Sequence, residues 1–219
     1  MSVDGSKKKR VLEPVDRAAE ILFGLIMVLT FTGSISVATD GREEVREVLI
    51  GAIGCNLAWG IVDAVMYLME ILVERGRSLA IARAVRASPD AEQGRRVLAE
   101  ALPEPLDALF GATAMEDARQ KLVALPALRE RPHLTGGDWS GALGVFLLVS
   151  LCTFPVVLPF LFVAPLERAM RVSNGVALAM LFLAGFVLGR HAGFGPVRTG
   201  LAMVALGVVL VAITMALGG

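Results

Sequence analysis

The sequence predicts an all-α, polytopic membrane protein with five transmembrane helices and a cytoplasmic helical insert between the second and third. Three observations carry that reading. Hydrophobic residues make up 55% of the 219, above the roughly 45–50% usual in soluble domains. They gather into runs long enough to cross a bilayer, which takes ~20 residues of helix. The charges are concentrated instead between Arg75 and Asp138, where ten Lys and Arg fall among Pro89, Pro103, Pro105, Pro126 and Pro132. Formal net charge is zero, so bulk charge draws in no nucleic acid, and the expected partner is the lipid bilayer.

Residues 1–15 are polar and basic up to Pro14, and a disordered tail is expected there. Asp16 is placed to cap a helix starting at Arg17. The first span, about 20–38, carries Gly24, Gly33 and several hydroxyl side chains, residues that allow close helix approach in lipid. Glu13, Asp16 and Glu20 interrupt the approach to this run, which is longer than a signal-peptide core, so it reads as a retained span. A link over Thr39–Arg46 leaves room only for an antiparallel hairpin. The second span, about 47–72, completes a first membrane segment of residues 16–74.

The insert, 75–138, is expected to hold short helices near 76–87, 90–101, 104–111 and 113–124. The last segment, 139–219, supplies spans near 140–163, 174–190 and 198–217, the first of them bent by Pro155 and Pro159. Gly185 and Gly189 have the spacing of a helix-packing pair. With the N-terminus cytoplasmic, seventeen basic residues lie inside and four outside, as the positive-inside rule requires. The compact, alanine- and arginine-rich chain suggests a bacterial inner membrane.

The chemistry is expected on the second span. Asn56, Asp63 and Glu70 recur every seven residues in an apolar run, which lines them up on one helix face, with Met66 on the same side. A carboxylate at the bilayer centre costs about 2.5–3.5 kcal/mol on insertion scales, so it faces partners or water and is a functional candidate by default. The bland alternative is a hydrogen-bonded packing carboxylate, meeting Asn56 or Asn174. Carboxylate, amide and thioether together suit a borderline divalent ion such as ferrous iron or manganese. Metal and proton compete for such a site, which is the basis of metal–proton exchange.

Asp63, Met66, Glu70 and Glu74 are therefore the metal candidates. Glu20 would join Glu70 and Glu74 at a cytoplasmic mouth, Met27 would add sulfur two turns deeper, and Asn56 would lie toward the exit. Glu20 is equally well explained by the helix dipole. In the insert, Glu92, Glu100, Glu104 and Glu116 are candidate cation ligands, although the arginines among them favour a salt-bridged surface. Cys55 and Cys152 form no pair and read as packed thiols, and His133 and His191 as isolated loop or interface residues. No nucleotide-binding loop or hydrolase motif occurs, so no organic cofactor and no enzyme activity are expected.

Two segments, Met66-Tyr-Leu-Met-Glu70 and Gly141-Ala-Leu-Gly-Val-Phe followed by Phe154-Pro-Val-Val-Leu-Pro159, resemble the vacuolar iron transporter family over about residues 16–217. Met followed four residues later by Glu is frequent in that family's second span, and a small, apolar stretch before a proline pair in its third. The chain departs from the family where an Asp-Gly pair usually stands in span one, here Phe23-Gly24; Asp63 has no counterpart there.

The resemblance implies five spans, an inside N-terminus, a metal-binding cytoplasmic insert, a homodimer with its path between protomers, and export of ferrous iron or manganese driven by protons. Two other functions remain open on the residues alone. One is a non-transporting scaffold whose insert docks a partner; the other is a carrier of a proton or organic solute.

Overall fold

The computed structural model describes residues 14–38, 42–102, 110–126 and 128–216. Among them are eight α-helices and no strand: α1 (Pro14–Ala38), α2 (Arg42–Ala87), α3 (Ala91–Ala101), α4 (Ala112–Ala124), α5 (Gly136–Leu151), α6 (Thr153–Phe162), α7 (Leu166–His191) and α8 (Pro196–Ala216). Among the described residues, four stretches are long and apolar enough to cross a membrane: Leu49–Ala87, Gly136–Phe162, Leu166–His191 and Pro196–Ile213. The tail expected over 1–15 lies outside the described residues apart from Pro14 and Val15. So does the helix expected at 104–111, apart from Phe110 and Gly111.

Several helix boundaries differ from the sequence reading: α2 already begins at Arg42, inside the link expected over Thr39–Arg46, and α7 at Leu166, ahead of the span expected near 174–190. α1 starts at Pro14 rather than Arg17: proline suits a first helical turn because its missing N–H has no helical partner there. Asp16 then sits inside the first turn, where its charge favours the helix dipole. No separate helix begins at 76, since α2 runs unbroken to Ala87. The change from apolar to basic residues alters what the helix faces without breaking it; it stops just before Pro89, which disfavours helix in the residue preceding it.

The chain divides into two compact units, one of residues 1–67 with 137–219 and one of residues 68–136. In the first, α1 is central. Leu22, Leu25, Val28 and Leu29 are buried with Cys152, Val156 and Val157 and with Ala177, Leu181 and Ala184 of α7. α7 and α8 pack through small residues. A Cβ on Gly185 would lie 2.7 Å from Met203 Cγ, and one on Gly189 would lie 2.6 Å from Thr199 Oγ1, so the Gly185/Gly189 spacing is the seam of this pair. α8 is otherwise largely exposed, with Leu201, Val208, Val209 and Ile213 among its outward side chains.

The third apolar run is broken at Cys152 into α5 and α6. The break puts Pro155 in the first turn of α6, where its absent N–H leaves no bond unmade. Pro159 stays inside α6, and Ser173 of α7 donates to the Val156 carbonyl at 2.6 Å, fastening this short helix.

In the second unit, Asp90 caps α3 by accepting from the Gln93 N–H at 2.8 Å. α3 and α4 are joined through Glu116. Three arginines of α2 hold the returning chain by its carbonyls: Arg75 at His133 (2.6 Å), Arg83 at Arg129 (2.9 Å), and Arg86 at Leu122 (3.2 Å) and Pro126 (3.2 Å). Arg83 also reaches the Glu130 carbonyl at 2.5 Å, and Arg86 reaches that of Leu125. Guanidinium groups thus satisfy carbonyls at the end of α4 and in the non-helical segment after it.

Candidate functional site

The site is built on the stretch of α2 that belongs to the first unit. Leu49, Ala52, Asn56 and Gly60 form its buried line, at the spacing of one helix face. Asn56 is 1% exposed. Its Nδ2 donates to the Gly24 carbonyl of α1 at 3.2 Å and also to Thr153 Oγ1 of α6. A carbonyl can only accept, so the nitrogen must face α1 and the amide oxygen is turned the other way. That oxygen, Oδ1, is buried and has no hydrogen-bond partner among the described residues.

Asp63 follows Asn56 by seven residues and is half-buried, and its Oδ2 is likewise buried without a partner among the described residues. The alternative reading, a carboxylate hydrogen-bonded to Asn56 or Asn174, is therefore not what Oδ2 does. Glu20 of α1 is half-buried, and its carboxylate feels the like charges of Asp63 and Asp16. α1 and α2 also meet at Phe23 and Trp59, whose rings pack edge to face with centroids 5.7 Å apart.

Between Asn56 and Asp63 lies Gly60, and against it stands a residue that the sequence reading missed. Ser150 of α5 is 5% exposed, and its Oγ lies 2.9 Å from where a Gly60 Cβ would be. It is the third buried oxygen without a partner among the described residues. Further along, Tyr67 covers Gly141, so α2 and α5 run antiparallel with glycines at both contacts. A glycine on the polar face of an apolar helix is the one sequence signal that marks such a close approach.

The remaining candidates are placed differently. Met27 is half-buried on α1, while Met66 is 60% exposed on the flank of α2 rather than on its buried line. Glu70 and Glu74 are exposed and belong to the second unit. There, Glu92 pairs with Arg96 at 2.6 Å, and Glu100 is exposed. Both oxygens of Glu116 are engaged, Oε2 by Arg95 at 3.1 Å and Arg119 at 3.0 Å, Oε1 by Arg119 at 2.6 Å and Gln120 at 3.0 Å. The hydrogen bond from Arg119, with that from Gln120, pulls the Glu116 carboxyl down to about 2. Glu104 lies outside the described residues. No group of three or more His, Cys, Asp or Glu that could hold a metal occurs among the described residues. Any ion held here would have to use amide and hydroxyl oxygens as well as carboxylates.

The model of the VIT family matches residues 65–219. No curated protein matches the chain.

Proposed function

The chain belongs to the VIT family, the vacuolar iron transporters, which are membrane metal-ion transporters, and from that premise we propose that it moves ferrous iron or manganese out of the cytoplasm in exchange for protons. The observation that carries the proposal is the pair of buried, unpartnered oxygens on one face of α2, Asn56 Oδ1 and Asp63 Oδ2. A buried polar atom without a partner costs about 1–3 kcal/mol, and a site that must repeatedly take up and release a cation is a reason to retain two of them. Protons and metal would compete for Asp63, so a proton arriving from the far side expels the ion.

In this reading α1 is a fifth span beside the four apolar stretches, the N-terminus is cytoplasmic, and residues 75–138 form a cytoplasmic insert. The cargo enters past Glu20, reaches Asp63 and passes Asn56. The exposed flank of α2, with Met66, Val62 and Ile61 outward, would be covered by a second copy in a homodimer, bringing Met66 to the path. Glu70 and Glu74 would gather ions at the insert. A bacterial inner membrane is the setting proposed.

The test is uptake of ferrous iron and manganese into proteoliposomes under a pH gradient. Wild type is expected to transport both, and Asp63→Ala neither; equal uptake by the two would refute the assignment. The scaffold reading draws on the arginine pairing of Glu92 and Glu116, which leaves those carboxylates little metal affinity. It would be favoured if the full chain retained a soluble partner on its insert and carried no metal.

A further inference from the structure

The second unit holds an open pocket that the cargo path does not use. Its volume is about 390 Å³, within the roughly 300–1,000 Å³ of small-ligand sites. Arg75 of α2 and Arg129, Arg131 and His133 of the returning chain line it, over a floor that includes Leu79, Leu128 and Pro132. No carboxylate is among the lining residues. His133 draws two of the guanidinium groups together. Arg75 Nη1 donates to its carbonyl at 2.6 Å, and Arg129 Nη1 meets its ring Nε2 at 2.6 Å. A guanidinium only donates, so that ring nitrogen accepts and brings no negative charge. Arg131 makes no hydrogen bond or ion pair among the described residues. Like charges gathered in one pocket repel, and an anion seated among them removes that cost.

The position of the pocket names the source of the anion. Ile71 and Leu72 precede Arg75 by four and three residues on the unbroken helix α2, so they share its face. The pocket therefore opens about one turn beyond the end of the second span, and Leu79 continues the apolar line past it. A soluble anion has no use for an apolar floor, whereas a phospholipid carries a phosphate together with glycerol and acyl methylenes. We propose that this pocket binds the headgroup of an anionic phospholipid, with its phosphate held by Arg129 and Arg131 and its glycerol and first methylenes resting on Leu79, Leu128 and Pro132. Basic residues just beyond a span are drawn to anionic lipid, and guanidinium forks fit phosphate oxygens. The proposal rests on residues 75–138 lying just outside the bilayer, and on no particular cargo.

The test titrates the purified full chain, in a neutral detergent, with a fluorescent short-chain phosphatidylglycerol, the matching phosphatidylcholine, and inorganic phosphate as competitor. Wild type is expected to bind phosphatidylglycerol about tenfold or more tighter than phosphatidylcholine, with no displacement by phosphate. Arg131→Ala, which breaks no contact among the described residues, should weaken phosphatidylglycerol about fivefold, and Arg129→Ala combined with it about twentyfold or more. Arg96→Ala is the control, since Arg96 pairs with Glu92 elsewhere in the same unit; its affinity should match wild type. Unchanged affinity in Arg131→Ala, or an equal loss in Arg96→Ala, would overturn the site. Equal binding of the two lipids, or displacement by phosphate at the lipid's own concentration, would overturn the lipid assignment. Metal flux plays no part in these readouts, so this proposal and the transport reading can fail separately.

Discussion

Replacing Asn56 by leucine separates a packing role from a binding role, because the structure sets two opposed effects of similar size on that one side chain. Asn56 donates to Gly24 of α1 and Thr153 of α6. Hydrogen bonds between membrane helices average about 0.6 kcal/mol and reach about 1.7, so losing both costs about 1–3 kcal/mol. The same substitution removes Oδ1, buried and unpartnered among the described residues, and relieves a penalty of about 1–3 kcal/mol.

Leucine shares asparagine's branching, with two bulkier methyl groups in place of the oxygen and nitrogen, and adds apolar contact; the Gly24 carbonyl lies in a helix that continues beyond it. Asn56→Leu is therefore expected to change stability by no more than about 1 kcal/mol, a melting shift of about 2–4 °C by the scaling of soluble domains. Metal flux should fall about tenfold or more, the scale on which lost ligand contacts act. Thermal melts followed by tryptophan fluorescence, alongside manganese flux in proteoliposomes, read both quantities. A melt lowered by about 10 °C or more would make Asn56 a structural staple. A stable variant with undiminished flux would refute its part in the path.

Four further outcomes follow from other parts of the molecule. Gly185→Val should destabilise by about 1–3 kcal/mol, because its Cβ would meet Met203 and the Thr199 carbonyl. Gly51→Ala, with nothing within 4 Å of the added carbon, should be neutral or stabilise by about 0.5–1 kcal/mol; thermal melts distinguish the two. Because the Glu116 carboxyl is held down to about 2, the ion pairs joining α3 and α4 are fully present above its ordinary value near 4.5 and are lost as pH falls through about 2. Hydrogen exchange of α3 and α4 should show that acid sensitivity in wild type and not in Glu116→Gln. Arg86→Ala frees the carbonyls of Leu122, Leu125 and Pro126, and limited proteolysis of the full chain should accelerate at residues 122–133.

Much of this architecture was legible because lipid imposes simple rules. Long apolar runs, the packing glycines of α7 and the break near Pro155 all leave marks in the order of residues. Asn56 and Asp63 stood out for the same reason: a polar group in an apolar run has to be used for something. The continuity of α2 past Arg75 was missed because a shift in charge resembles a boundary, while only proline and caps end a helix. Ser150 was hidden by its chemistry. Serine in a membrane helix is ordinarily satisfied by its own backbone, so only three-dimensional placement against Gly60 marks it. The carboxylates of the second unit illustrate the converse, since Glu92 and Glu116 meet arginines that composition had already suggested as their partners.

The most direct measurement is anomalous scattering at the manganese edge from crystals of the full chain soaked in Mn2+. The expected result is a peak bonded to Asp63 Oδ2, the buried carboxylate oxygen of α2 that has no partner among the described residues. Manganese bound only at the carboxylates of residues 68–136, with none beside Asp63, would contradict the account.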